Sequence, residues 1–309
     1  MNDELTPIIK REELDLKEIF LVLWKDKLKI LFITFLAAIF SVVYALSLPN
    51  IYSSSAILSP TSEKDQLSNL AGSLSGFASL SGLTMGNLSG NNNAEAAIEI
   101  IKSFNFFEDL MTEEPDLYFK IIAAEGWDKD KNLLKIDSEI FNEVSQKWVS
   151  DAPFAINGKP SLQSSFLIFG DNLDIEKDLL TGFVDISYEH YSPHVAKEVI
   201  EKIITKVNNI LREEDIEVAE QNIIYLKKEI GQTQLADLRN GLSELIEKQI
   251  EKISIAKSQS QYVFKTISKP YAKELKSAPK RSTICIIITF FGGIFSILYV
   301  LFTNYFFKD

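Results

Sequence analysis

Apolar residues recur at steps of three and four along one long stretch, from Ser192-Pro193 to about Ser258. The stripe begins as Ala196, Val199, Ile203, Val207 and Ile210 or Leu211, and resumes past a charged patch as Ile216, Ala219, Ile223, Leu226 and Ile230. It returns as Leu235, Leu238, Leu242, Leu245, Ile246, Ile253 and Ala256, with Glu, Lys and Arg on the other face. That period predicts an amphipathic helix. Ser192 suits its cap and Pro193 its first position, where a missing N–H costs nothing. Unbroken, it would be on the order of 100 Å long at about 1.5 Å per residue. Gly231 and Gly241 are the candidate bends, and the helix either projects or rises and returns. So long a stripe needs cover, from the rest of the chain or from other copies.

Two runs have a different pattern. Ile30 to Leu48 and Ile284 to Phe307 contain no charge, and each has the roughly 20 residues that cross a bilayer. The first is no cleavable signal, because it follows a charged segment and has no Ala-x-Ala site ahead of Pro49. Lys25, Lys27 and Lys29 before it predict a cytoplasmic N-terminus. Lys308 agrees; Lys276, Lys280 and Arg281 do not, and the first helix is taken to dominate. The expected organisation is a cytoplasmic segment at 1–29, a first span at 30–48 and a domain outside the cytoplasm at 49–281 with its long helical region at 193–258. A second span at 282–307 and a cytoplasmic end at 308–309 follow.

Within the domain, Ile51 to Leu58 reads as a strand, as does Gln261 to Ile267. Leu173–Asp178 and Gly182–Tyr188 read as a hairpin with Val184, Ile186 and Tyr188 on one face. Ala94 to Leu110 reads as one helix, Pro115 to Val149 as two shorter ones, and Ser161 to Phe169 fits either helix or strand. Leu67 to Asn93 is a Gly- and Ser-rich loop. Because both ends of the domain are tied to the membrane, the strands beside the two spans should meet in one sheet. The fold class is an α+β membrane protein: two transmembrane helices bracket a small mixed α/β base and long extended helices.

Charge and chemistry narrow the function. A net charge of −11 over 309 residues opposes nucleic-acid binding. Cys285, the only cysteine, lies in a span, so the outer domain has no disulfide. His190 and His194 stand four apart, but Pro193 starts the helix between them, which argues against a zinc site. Asp128-Lys129-Asp130 has the spacing of a glycosyltransferase metal motif, yet its setting, Gly-Trp-Asp-Lys-Asp-Lys-Asn, reads as a solvated turn. No phosphate-binding loop is present. The expectation is no catalytic site, cofactor or metal. Gly292, Gly293 and Ser296 offer a small-residue face for span packing. Lys269, Lys273, Lys276, Lys280 and Arg281 suit lipid phosphates or interfacial anchoring.

The residues at both ends resemble the Wzz-type chain-length determinants, polysaccharide co-polymerases of the Gram-negative inner membrane. The likeness covers Asp15-Leu16 through Trp24-Lys25, Tyr44-Ala45, Pro49 and Tyr52. It resumes with Gly182-Phe183-Val184, Tyr188-Glu189-His190, Pro193, Ala196, Asn208, Ala219 and Tyr225-Leu226. Leu245-Ile246, Gln249, Ala256, Tyr262-Val263-Phe264, Pro270, Ala278-Pro279-Lys280-Arg281 and Gly292 complete it. Residues 113–159 match loosely. The connector Pro270, Pro279, Lys280 and Arg281 has fewer prolines than the family's usual one.

The resemblance implies a non-enzymatic regulator of the class without a kinase domain. Such proteins form rings of identical subunits and set the modal length of lipopolysaccharide O-antigen. The implied partners are further copies, the O-antigen polymerase, polysaccharide on a polyprenyl-diphosphate carrier, and membrane lipids. Val207, Ile223, Leu226, Ile230, Leu238 and Leu245 are the expected oligomer contacts. The alternative is a periplasmic adaptor or scaffold in another polysaccharide or secretion export system.

Overall fold

The computed structural model describes residues 16–61, 92–149, 155–156 and 158–306. The tract expected as a loop at Leu67 to Asn93 lies outside them, apart from its last two residues. The chain divides into two units, residues 1–49 with 278–309, and residues 50–277.

In the first unit, helix Lys27–Ser47 packs against helix Arg281–Phe306, with a shorter helix Leu16–Lys25 beside them. Both long helices are apolar enough to cross a membrane, at mean hydropathies of 2.4 and 2.6. Only 11% of each apolar window is buried, whereas a core helix of a soluble domain would be mostly covered. Leu31, Phe32, Phe35, Phe290, Phe291 and Phe295 stand exposed on their outer faces, as lipid contact requires.

The second unit is built on a four-stranded antiparallel sheet. Its order is an exit strand Phe264–Ser268, an entry strand Tyr52–Pro60, then Val184–His190 and Leu173–Lys177. The strands that follow the first span and precede the second are therefore neighbours, and Ser277 N donates to Ile51 O at 2.8 Å beyond the ladder. Alternation decides the faces. Ala56, Leu58, Val184, Ile186, Tyr188 and Phe264 point inward and are buried, while Asp174, Glu176, Asp185 and Lys265 point to solvent.

The inner face is covered by the first half of a long helix, Pro193–Gln232. Val199, Ile203 and Val207 on it are fully buried in the same cluster as the sheet residues. Helices Asn92–Ile101, Phe104–Glu113, Pro115–Ile122 and Leu162–Asp171 close the core around Phe107, Leu110 and Phe169. Phe107 meets Phe166, Phe169 and Tyr118 at ring-centroid distances of 5.7, 5.2 and 6.5 Å.

The structure departs from the sequence pattern at three places. The helix expected over Ala94 to Leu110 is two, because Ser103 ends one and caps the next: its Oγ donates to Ile100 O at 2.7 Å and accepts from Phe106 N at 3.2 Å. Only Pro115–Ile122 is helical in the Pro115 to Val149 stretch, which continues as hairpins pairing Ala124–Asp128 with Leu133–Ile136 and Phe141–Asn142 with Lys147–Trp148. The long helix breaks at Thr233, and helix Ala236–Ser258 returns along it. Neither Gly231 nor Gly241 is the break. Ser161 to Phe169, left open between helix and strand, is helical.

Tyr188 is fully buried, and its hydroxyl has no hydrogen-bond partner among the described residues. Tyr188→Phe is therefore expected to raise stability by about 1 kcal/mol, since it removes a buried unpaired donor while keeping the ring. A lower unfolding temperature for the variant would contradict that.

Candidate functional surfaces

The helical hairpin uses most of the apolar stripe within one chain. Ile216, Ile223, Leu226 and Ile230 on the long helix, and Leu238, Leu242, Leu245, Ile246 and Ile253 on the return helix, are half-buried, and Ala219 and Ala256 are buried. Elsewhere on the hairpin Val218, Ile224, Tyr225 and Ile250 are exposed, as is Leu235 at its tip. Among the residues expected at an oligomer interface, Val207 is corrected outright. It has no exposed surface and belongs to the domain core, because the first half of the long helix lies on the sheet. At the hairpin base, Asp215 accepts from Lys252 Nζ at 2.6 Å and from the Tyr262 hydroxyl at 2.7 Å.

Sequence reasoning missed the polar group that joins helix to sheet. Asn208 is 1% exposed. Its Oδ1 accepts from Val263 N and Phe264 N at 2.8 and 2.9 Å, and its Nδ2 donates to Ile204 O at 2.8 Å. The available signal was an amide directly after Val207 on an otherwise apolar helix face.

The two histidines do not converge. His190 ends its strand buried at 6% exposure, while His194 is exposed beside the Trp127 ring. Ser192 N donates to His190 Nδ1 at 3.1 Å, so the proton sits on Nε2, which donates to Lys120 O at 3.0 Å. Burial holds this imidazole neutral and pushes its pKa down to about 4. Asp128 is equally committed: Oδ1 accepts from Asp130 N and Lys131 N at 3.0 and 3.2 Å, closing its own hairpin turn. Among the described residues no group of three or more His, Cys, Asp or Glu is placed to hold a metal.

In the span pair the three small residues do different work. A Cβ at Gly292 would stand 2.5 Å from Ala37 Cβ, so the glycine backbone lies against the Ala37 methyl, whereas at Gly293 the nearest atoms are 3.8 Å away on Thr34. Ser296 is fully buried, donates to Gly293 O at 2.7 Å and lies 3.3 Å from the Thr34 hydroxyl. Gly292→Leu should weaken the pair by about 2 kcal/mol through overpacking, and Gly293→Leu by much less. Thermal unfolding in detergent distinguishes the two, and equal losses would contradict the assignment.

The connector is held along its length. Pro270 is buried, Ser54 Oγ donates to Tyr271 O at 2.9 Å, and Ser277 Oγ donates to Ile51 O at 3.1 Å. Pro279 follows a cis bond and is half-buried, Lys280 is exposed, and Arg281 Nη2 donates to Leu48 O at 3.0 Å.

Residues 12–114 match the family described as chain length determinant protein, Wzz. The match covers about a third of the chain. A full-length bacterial polysaccharide co-polymerase is similar at 13% identity and a TM-score of 0.40, covering 95% of this chain and 99% of that one. A fragment of WzzB, a polysaccharide co-polymerase from Salmonella Typhimurium, is similar at 14% identity and a TM-score of 0.31, covering 74% of this chain and all of that one. No curated protein matches the chain.

The Wzz match has a clear structural content. It takes in helix Leu16–Lys25, the first apolar helix, the entry strand, and helices Asn92–Ile101 and Phe104–Glu113. Glu113 and Glu114 at its end pair with Lys206 and Lys202 of the long helix. The hairpin, the exit strand and the second apolar helix lie beyond the match, so the likeness noted there rests on single residues.

Proposed function

We propose that the chain is a non-catalytic regulator of polysaccharide chain length, anchored by two spans in a bacterial inner membrane with residues 50–277 in the periplasm. The Wzz match over residues 12–114 carries this reading. In it, identical copies assemble into a ring and act with a separate O-antigen polymerase, on polysaccharide held by a polyprenyl-diphosphate carrier. The hairpin agrees with a protein that works by shape, since it exposes Ile224, Tyr225 and Ile250 at 69%, 61% and 54%. Half-buried Ile223, Leu226, Ile230, Leu238 and Leu245 then act indirectly, by packing the two helices that display those side chains.

The test is the banding of surface polysaccharide after deleting and restoring the gene in its host. Deletion should replace a clustered length distribution with a short-weighted one, and restoration should return the cluster. Unchanged banding, or complete loss of polymer, would overturn the reading.

A further inference from the structure

The outer face of the four-stranded sheet is polarised from edge to edge. On the Leu173–Lys177 side it presents Asp174, Glu176 and Asp185, all exposed. Glu176 and Asp185 stand directly opposite each other across the ladder, a like-charge pairing that destabilises unless a cation lies near. The exit-strand side presents Lys265 and Lys269, also exposed. Among the described residues none of these five forms a salt bridge. The two outer strands are three ladder steps apart, roughly 14 Å, so neither edge neutralises the other within one chain.

Among the described residues no further strand pairs with the outer side of Leu173–Lys177 or of the exit strand, where Thr266 N donates to the Gln261 side chain at 3.4 Å. Beside the acidic edge, Leu179 and Leu180 stand 91% and 97% exposed in a turn that Asp178 closes by accepting from Leu180 N at 2.8 Å and from the Thr181 hydroxyl at 2.8 Å. On the basic side Ile267 is 54% exposed.

We propose that copies of this chain associate head to tail through their sheets, the Leu173–Lys177 edge of one beside the exit strand of the next. The inference rests on the homo-oligomer reading above and assigns it a surface. Strand direction supports it. Each strand is antiparallel to its neighbour, so the two outer strands run oppositely. Copies threaded through one bilayer share an orientation, and side by side they bring these edges together as an antiparallel pair. In the register that sets Glu176 opposite Lys265 of the neighbour, Asp174 stands opposite Ile267 and diagonal to Lys269. Pairing the acidic edge with itself about a twofold axis would set carboxylate against carboxylate. A head-to-tail contact repeats and closes into a ring when its rotation allows.

The test is charge reversal in the full-length protein, sized by light scattering in detergent, with circular dichroism to confirm folding. Asp174→Lys with Glu176→Lys, or Lys265→Glu with Lys269→Glu, should each weaken assembly by roughly tenfold or more. All four changes in one chain should restore it. A Glu176→Cys, Lys265→Cys chain on a Cys285→Ser background should give a ladder of cross-linked multimers. Assembly that survives both reversals overturns the edge assignment and leaves the oligomer reading standing. Reversals that dissociate the protein without rescue by the fourfold swap overturn the head-to-tail pairing. A wild-type protein that stays monomeric at all concentrations overturns both.

Discussion

Asn208→Leu is expected to destabilise the domain by about 4 kcal/mol, the largest effect of any single change described. Leucine has similar volume, so the loss is polar. Val263 N and Phe264 N would lose their acceptor in a site with 1% exposure, and each buried unpaired donor costs about 1–3 kcal/mol. The Nδ2 bond to Ile204 O would go as well. Against a total stability of roughly 5–15 kcal/mol this is a large share. The expected fall in unfolding temperature is roughly 10 °C. Thr205→Ala, on the exposed side of the same turn, should change stability by about 0.5 kcal/mol or less. Equal melting of the two variants would remove Asn208 from its place as the link between helix and exit strand.

The second large effect depends on pH and on His190. Its folded pKa, about 4, lies below the unfolded reference of 6.5, so folding favours the neutral ring. The stability it contributes is complete above pH 6.5. As pH falls below that value the unfolded chain takes up a proton that the folded chain refuses. Stability drops until about pH 4, where the folded imidazole also protonates, and the loss from this group amounts to about 3 kcal/mol. Protonation at Nδ1 would also direct an N–H at the Ser192 N–H, breaking the contact that joins the strand to the long helix. His190→Gln does not titrate, so the stability difference between wild type and variant should shrink by that amount between pH 7 and pH 4. A constant difference across the range would mean that the imidazole is not buried as described.

Legibility in the sequence followed the range of the forces involved. The two apolar runs and the strands at Tyr52, Val184 and Phe264 were readable because burial imposes a local period or a charge-free run on each. The helix break at Ser103 was not, since Ala97, Ile98, Ile101 and Phe104 keep helical spacing across the cap, the first three in the core and Phe104 against the ring of Phe166. The hairpins from Ala124 to Trp148 were missed because their strands are two to five residues long, too short to show alternation. Their turns are closed instead by side chains, Asp128 and Asn142 among them. At Thr233-Gln234-Leu235 no Gly or Pro marks the reversal. Periodicity reveals that a stripe is covered but not by what, and so Val207 was placed on an interface when its cover is the chain's own sheet. The edge charges at Asp174, Glu176, Lys265 and Lys269 became visible only when the strand order set them at opposite borders.

The contact between Ile51 and Ser277 has a further consequence. With Ser277 N 2.8 Å from Ile51 O, the domain begins and ends at one point. Topologically it is a closed loop spliced into the turn between two apolar helices. A peptide of a few residues would join its native ends, and new termini could be opened at a surface turn such as Asn142–Lys147 without cutting a core element. Circular permutation thus offers a route to the domain freed from its anchors, and the same geometry accounts for how such a domain could be carried as an insert within a simpler two-helix membrane hairpin.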